Sequence, residues 1–475
     1  MSGYRRARIG SATSPRSRRA VAALLAASVT GLSAAIGAPT AAASGPPPII
    51  PGLLPPPANE PTDRTENACN IAQPYTSPGK PPAQQFLGIE NAWQFTRGEG
   101  QTVAVIDTGV GRSPRLPNLI PGGDFVSNTD GTEDCDLHGT VVAGLIAGQP
   151  SPKDGFAGIA PGAQILSIRQ TSGFYRYKST QVDPNDPKNG GGVGKTNTLA
   201  TAIRAAADRG AKVINISEVA CGPAGLSDLA MGSAVQYAVE VHDVVIVAAA
   251  GNKEKDCKNG NPGINPLDPG ADLWKTLTTA VTPAWYDQYV LTVGSVDLNG
   301  QPSDFTVPGP WVGVAAPGEQ IVSLDPNGGG LTNATVGNDG VHPLSGTSFA
   351  TPYVAGLAAL VRARFPELSA PEVIKRIEAT AHPPAEGWNP QVGFGIIDPV
   401  AALTHTVDPR TVLEKKPDTL EGRAVQLPIP AAPPPPDHTA RDVALIGTAV
   451  IGVLAVLGYL ASFPIRRRFG VREDE

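Results

Sequence analysis

The feature that most constrains the fold is a regular alternation of short apolar strands and helices between Gln101 and Thr380. Five stretches have the length and composition of buried strands, and four have helical patterns, besides a run of small residues at 138–148 that also predicts a helix. Apolar strands that alternate with helices are typical of a parallel sheet covered on both faces. We therefore predict an α/β fold with a doubly wound, mainly parallel sheet. The predicted strands are 101–107, 165–168, 213–217, 244–250 and 290–294, and the predicted helices are 198–209, 226–241, 348–365 and 369–380.

Three polar side chains stand where an apolar element meets a glycine-containing turn. Asp107 ends the first strand, His138 opens a run of small residues that predicts a helix, and Ser348 begins a buried helix. A carboxylate, an imidazole and a hydroxyl are the groups needed to activate a serine nucleophile. Each also has an ordinary explanation, because serine is a common helix N-cap and a lone histidine or aspartate is weak evidence. Together they predict a hydrolytic site.

The motifs around these residues resemble the signatures of the subtilisin-like serine proteases, the subtilases. They are Asp-Thr-Gly at 107–109, His-Gly-Thr at 138–140 and Gly-Thr-Ser-Phe-Ala-Thr-Pro at 346–352, with Ala-Gly-Asn at 250–252 between the last two. They occur in the family's order of acid, base and nucleophile. The resemblance covers roughly residues 86–402 and implies a serine endopeptidase.

The resemblance also implies a role for each residue. Asp107 would orient the imidazole, His138 would act as general base and acid, and Ser348 would be the nucleophile. Asn252 would form an oxyanion hole with the backbone N–H of Ser348. A degenerate subtilase without activity is an alternative, but it is disfavoured because none of these positions is substituted.

A peptide substrate of a subtilase adds as a strand beside a segment that corresponds here to residues 216–219. Ser217 and Glu218, together with Gly251, are therefore the expected substrate-binding residues. Familiar subtilisins continue this segment with a small, glycine-containing stretch, whereas this chain has Glu218 and Val219. We predict a narrow substrate range. Calcium is common in the family, but no acid-rich loop matches a ligand pattern, so we predict neither a metal nor a cofactor.

Both ends of the chain carry apolar segments that place it at a membrane. Residues 1–43 have the basic leader, apolar run and small residues of a signal peptide, with a retained anchor as the alternative. Residues 443–463 contain no charge and are long enough to span a bilayer, with a buried core helix as the alternative. The arginines at 466–468 would keep the tail at 464–475 in the cytoplasm. The catalytic domain would then lie outside the membrane.

Proline-rich stretches separate a central domain from these ends. Residues 44–85 form an N-terminal extension, 86–405 the predicted peptidase domain and 406–442 a linker. Repeated prolines favour extended chain. The extension would be either a propeptide or an arm held on the domain by Cys69. Residues 175–194 are polar and rich in glycine, which indicates an insertion loop.

The complete layout resembles the mycosins, the membrane-anchored subtilases of type VII secretion systems in actinobacteria. This resemblance implies exported protein or peptide substrates and partnership with the secretion membrane complex. A net charge of −6 gives no basic footprint for nucleic acid, so none is predicted. Processing of secreted proteins is the first functional hypothesis. The second is a chiefly structural subunit of the secretion complex, with proteolysis secondary.

The four cysteines suggest two disulfides in the fold that the resemblance implies. The strands ending at Ser217 and Ala250 would be neighbours, which would bring Cys221 close to Cys257. Cys69 would then pair with Cys135 and hold the extension near the catalytic histidine. Four cysteines allow three connectivities, and free thiols are a further alternative outside the cytoplasm.

Overall fold

The computed structural model describes residues 45–55, 60–178, 193–254, 257–258, 260–326, 328, 330–337, 340–408, 410–417 and 438–468. The predicted signal peptide at 1–43, most of the linker and the end of the tail lie outside these residues. The chain divides into two compact units, Met1–Thr419 and Leu420–Glu475.

The strands of the described residues are β1 (Thr62–Arg64), β2 (Ile71–Tyr75), β3 (Thr102–Asp107), β4 (Leu119–Asp124), β5 (Gln164–Arg169), β6 (Tyr175–Tyr177), β7 (Val213–Ile216), β8 (Ala220–Pro223), β9 (Val245–Ala249), β10 (Thr279–Thr282), β11 (Val290–Val296), β12 (Val312–Pro317), β13 (Ser323–Leu324), β14 (Leu331–Gly337) and β15 (Gly340–Pro343). The helices are α1 (Pro82–Leu87), α2 (His138–Ala147), α3 (Thr196–Asp208), α4 (Leu229–Gln236), α5 (Thr347–Arg364), α6 (Ala370–Ala379), α7 (Pro399–Thr404) and α8 (Thr439–Arg468).

A seven-stranded sheet forms the centre of the first unit, in the order β12-β11-β9-β7-β3-β5-β4. Every neighbouring pair in it is parallel. Successive side chains of a strand point to opposite faces, and every residue of β7, β9 and β11 is buried, so both faces are covered. This confirms the predicted doubly wound, parallel architecture.

Two strands of this sheet, β4 and β12, are absent from the sequence prediction. β4 has the sequence Leu-Ile-Pro-Gly-Gly-Asp, which contains residues that ordinarily interrupt strands. It lies at one edge of the sheet, and its pairing with β5 shifts register between Pro121 and Gly123. An edge position tolerates a proline because the missing N–H is not needed for a second neighbour.

Four small strands attach the N-terminal extension to the rest of the first unit. β1 pairs antiparallel with β6, and β2 pairs antiparallel with β14. The residues of the predicted insertion loop that the structure describes therefore include a strand, while 179–192 lie outside the described residues. The extension is folded onto the domain by backbone pairing as well as by any covalent link.

The second unit contains α8, whose apolar part Thr439–Pro464 is long enough to cross a membrane. It is the single candidate span among the residues that the structure describes. The helix extends beyond the predicted span at 443–463 in both directions. Its apolar side chains are exposed, including Leu454 and Leu457, as expected of a surface that meets lipid rather than water.

Candidate active site

The carboxyl ends of the parallel strands bring Asp107 to the start of helix α2. Asp107 is the last residue of β3 and is fully buried, and Nδ1 of His138 lies 2.8 Å from its Oδ1. The same oxygen accepts a hydrogen bond from the Thr108 N–H at 2.7 Å. A carboxylate on Nδ1 orients the ring and leaves Nε2 as the nitrogen that can accept a proton.

A second acid, Asp134, fixes the loop that leads into α2. Its Oδ1 accepts from Oγ1 of Thr108 at 2.8 Å and from the Leu137 N–H at 2.9 Å, and its Oδ2 accepts from N and Oγ1 of Thr140. Leu137 has a φ of 71°, an uncommon conformation that these bonds help to hold. Asp134 therefore connects the turn after Asp107 to the first turn of the histidine helix.

Sequence reasoning missed Asp134, although an acid shortly before a predicted helix is a known capping signal. Burial raises the pKa of its carboxyl to about 6, against the opposing effect of its hydrogen bonds from Thr140 and Thr108.

Ser348 lies in the first turn of α5, an 18-residue helix that is buried along most of its length. Oγ of Ser217 donates a hydrogen bond of 2.8 Å to the Ser348 carbonyl, and the ring of Phe349 packs 5.1 Å from that of His138. The start of α5 is thus held against both the histidine and the segment after β7. The unpaired N–H groups and the positive end of the helix dipole surround the serine.

The side-chain amide of Asn252 and the Ser348 hydroxyl face the same small space. A Cβ atom added to Gly346 would lie 3.1 Å from Nδ2 of Asn252 and 3.1 Å from Oγ of Ser348. Oδ1 of Asn252 accepts from N and Oγ1 of Thr347, each at 3.0 Å. Its Nδ2 is therefore oriented as a donor towards a space that only a residue without a side chain leaves open.

The three predicted substrate-binding residues lie in two segments at this edge of the sheet. Ser217 and Glu218 follow β7, and Oε1 of Glu218 is 3.7 Å from Nδ1 of His138. Gly251 follows β9 with a φ of 89°, and its carbonyl accepts from the Val307 N–H at 3.0 Å. The structure thus places Ser217 and Glu218 beside the histidine and serine, whereas the Gly251 carbonyl already accepts a hydrogen bond from within the domain.

Negative charge dominates the surroundings of His138. Burial alone lowers the pKa of its imidazole, but the carboxylates of Asp107, Glu218 and Asp134 outweigh this effect and raise the pKa well above its usual range. An imidazolium formed during a reaction is therefore well stabilised here.

The structure joins Cys69 to Cys135 and Cys221 to Cys257, the two pairs favoured from the sequence. The first links the extension to the loop that carries Asp134 and His138, and the Asn70 N–H also bonds to the Cys135 carbonyl at 3.1 Å. The second lies next to Gly251. Among the described residues no group of three or more His, Cys, Asp or Glu side chains could hold a metal ion.

This fold and this arrangement define a class of protein. The model of the subtilase family matches residues 98–395, and the chain belongs to this family of serine proteases.

Within the family, the chain is similar to the mycosins. It is 45% identical over 446 residues to mycosin-1 of Mycolicibacterium smegmatis, an alignment that covers 92% of this chain and 97% of the relative. The solved structure of the serine protease MycP1, described as an essential component of the type VII (ESX-1) secretion system, is 47% identical with a TM-score of 0.70; it covers 76% of this chain and 99% of that one. A chain in the periplasmic assembly from the ESX-5 inner membrane complex is 44% identical with a TM-score of 0.72, covering 82% and 100%.

Proposed function

We propose that Asp107, His138 and Ser348 carry the peptidase reaction of this protein. Oγ of Ser348 attacks the scissile carbonyl carbon while His138 takes its proton, and the same proton then passes to the leaving amine. Asp107 orients the ring and stabilises the imidazolium. A water molecule repeats the sequence on the acyl-enzyme, which releases the new carboxyl terminus and restores Ser348.

The observation that carries this proposal is that a bound histidine and a serine beside an amide donor occur together in one site. His138 is bound to a fully buried Asp107 at 2.8 Å, and Ser348 shares one small space with the Asn252 amide. The carbonyl oxygen of a substrate becomes negative as Ser348 attacks. Nδ2 of Asn252 and the N–H of Ser348 would donate to that oxygen, where preorganised donors contribute most.

Substrate binding is proposed for the segment of Ser217 and Glu218. A peptide that pairs with this segment as an added strand would pass beside His138, with affinity from backbone bonds and selectivity from side chains. Glu218 occupies part of the space beside the catalytic histidine, which supports a narrow rather than a broad substrate range. Gly251 is the weaker of the proposed substrate-binding residues, because its carbonyl already accepts a bond from Val307.

The full chain is proposed to be exported and anchored. Residues 1–43 would act as a signal peptide, 44–85 as the extension, 86–405 as the peptidase domain, 406–442 as a linker and 464–475 as a cytoplasmic tail. The support is the apolar part of helix α8 together with the arginines at 466–468 that end this helix. The catalytic domain would then act on proteins outside the cytoplasmic membrane.

Association with a type VII secretion membrane complex is the proposed setting. It is supported by the similarity to a chain of the ESX-5 periplasmic assembly. A chiefly structural role in that complex is the second candidate function, and it is favoured by the extension, whose strands β1 and β2 add surface that the catalytic groups do not need. Export in a deletion strain complemented with Ser348→Ala separates the two, because full export of every substrate would assign the essential role to assembly.

The proposed chemistry is tested by labelling the full-length protein with a fluorophosphonate in detergent. Ser348→Ala is compared with Ser345→Ala, which removes an exposed serine three residues earlier. We expect the wild type and Ser345→Ala to be labelled and Ser348→Ala to remain unlabelled. Labelling of Ser348→Ala, or none of the folded wild type, would contradict the assignment.

A further inference from the structure

A second carboxylate lies beside the imidazole of His138, close to the same ring nitrogen as Asp107. Oε1 of Glu218 is 3.7 Å from Nδ1, which Oδ1 of Asp107 approaches to 2.8 Å. The Glu218 side chain is 32% exposed, whereas that of Asp107 is fully buried. The ring therefore has two negative neighbours, the buried carboxylate of Asp107 and the partly exposed carboxylate of Glu218.

We propose that Glu218 is a positioning residue that sets the pH range over which His138 can act as a base. Its charge favours the protonated ring and opposes the loss of the proton that the base must give up before it can react. Its place after β7 and Ser217 is fixed by the bond of Ser217 to the Ser348 carbonyl. This inference rests on the proposed function, because it refines the role given to His138.

Charged groups face His138 from three parts of the fold. Asp107 ends β3, Asp134 lies in the loop before α2, and Glu218 follows β7; all three raise the pKa of His138 against the effect of burial. From α5, the ring of Phe349 contributes contact but no charge. Asp107 and Asp134 are tied into the backbone by hydrogen bonds, so their replacement would disturb these loops as well as the charge, and Glu218 is the acid chosen for the test.

The charge of Glu218 also acts on a neighbouring acid, Asp136. Asp136 accepts hydrogen bonds from Oγ of Ser172 at 2.6 Å and from the Gly173 N–H at 2.8 Å. Burial raises the pKa of Asp136, and the charge of Glu218 raises it further while Arg169 lowers it. Neutralisation of Glu218 would therefore favour the ionised form of Asp136, and this partly offsets the loss of the Glu218 charge near the histidine.

The variant Glu218→Gln removes the charge and keeps the size of the side chain. An opposite charge at this distance shifts a pKa by about one unit or more, so the ring should lose its proton about one pH unit lower in the variant. At a pH below both transitions, reaction at Ser348 should then be about tenfold faster, because each pKa unit corresponds to a factor of ten in the neutral form. At high pH, where the ring is neutral in both proteins, the rates should converge.

The test is the rate of fluorophosphonate labelling of the full-length protein in detergent across pH 5 to 10. Glu133→Gln is the matched control, since Glu133 is 64% exposed and lies 3.6 Å from Arg169 rather than near the histidine. We expect the rise of the labelling rate with pH to occur at lower pH in Glu218→Gln and at the wild-type pH in Glu133→Gln. The same pH profile in all three proteins, or an equal shift in both variants, would overturn the inference.

A second measurement keeps this inference separate from the proposed reaction. The ring Cε1–H resonance of His138, assigned by comparison with His138→Ala, is titrated by NMR in the wild type and in Glu218→Gln. A lower pKa in the variant without any labelling of the wild type would support the role of Glu218 and overturn the proposed reaction. Labelling of the wild type with an unchanged histidine titration would overturn the role of Glu218 alone.

Discussion

Asn252 is oriented through its own carbonyl oxygen. Because Oδ1 accepts two hydrogen bonds from Thr347, the amide Nδ2 is directed towards the space next to the Ser348 hydroxyl. A donor that is already in place needs no reorganisation when charge develops on the substrate. The contribution of this residue is therefore expected in the rate of reaction rather than in stability.

The first residue-scale prediction concerns the variant Asn252→Ala. The removal of the corresponding donor from a bacterial subtilisin lowers kcat by about 10²- to 10³-fold, and we expect a loss of similar size in peptide cleavage here. Lys253→Ala, one residue further along the chain and exposed, serves as the control. A loss below about tenfold in Asn252→Ala would show that other donors hold the oxyanion.

The second residue-scale prediction concerns Gly346→Ala. The new methyl group would stand 3.1 Å from both Nδ2 of Asn252 and Oγ of Ser348, in the space proposed above for the substrate oxygen. We expect fluorophosphonate labelling to slow by about a hundredfold, since misplacement by about 1 Å has such an effect. Gly225→Ala, where a Cβ meets nothing within 4 Å, should label as the wild type does.

At the scale of elements, the segment after α7 is held against the body of the first unit. Nζ of Lys415 is 3.7 Å from Oε1 of Glu378 in α6 and 3.9 Å from Oδ2 of Asp287, and it donates to the Trp311 carbonyl at 3.3 Å. Glu378 is 8% exposed, and burial raises the pKa of its carboxyl while Lys415 opposes that rise. The boundary predicted at 405 stays a prediction, but these contacts tie residues beyond it to the domain.

The element-scale prediction is a pH-dependent loss of stability in Lys415→Met. Without the ammonium group, the buried Glu378 and the partly exposed Asp287 lose their neighbouring cation, and we expect the free energy of unfolding to fall by about 2 kcal/mol at pH 7. The folded pKa of Glu378 lies above its unfolded value, so protonation at lower pH favours the folded state and the penalty should shrink as pH falls. Denaturant unfolding at pH 7 and pH 5 measures both effects.

Lys416→Met is the matched control for that experiment, because Lys416 is 67% exposed and pairs with Glu414. We expect a change within about 0.5 kcal/mol at both pH values. If the penalty in Lys415→Met were the same at the two pH values, the charge of the buried carboxylates would not be its cause.

The sequence identifies the elements of this fold better than it identifies their connections. Apolar strands such as β7 and β9 can be predicted because both of their faces are buried. Ser348 can be recognised because it is a polar residue in a run of buried residues. β4 escapes prediction because its pairing, not its composition, makes it a strand. Asp134 bonds to the distant Thr108 as well as to its near neighbours, and Lys415 contacts residues far away in sequence. The local sequence does not predict these distant partners.

At the scale of the whole molecule, the proposed orientation across the membrane can be tested directly. Asn299→Cys adds a thiol at an exposed site of the first unit, and Glu473→Cys adds one to the tail. We expect a membrane-impermeant maleimide to label Asn299→Cys in intact cells and Glu473→Cys only after permeabilisation. The opposite pattern would reverse the orientation that the arginines predict.

The disulfide between Cys69 and Cys135 has a consequence for where the protein becomes competent. It holds the loop that presents His138, yet such bonds do not persist in a reducing cytoplasm. A newly made chain would therefore reach its finished cleft only after it has left the compartment in which it was synthesised. We therefore expect cytoplasmic proteins not to be cleaved by the newly made chain, because its catalytic site would be completed only in the compartment that holds its substrates.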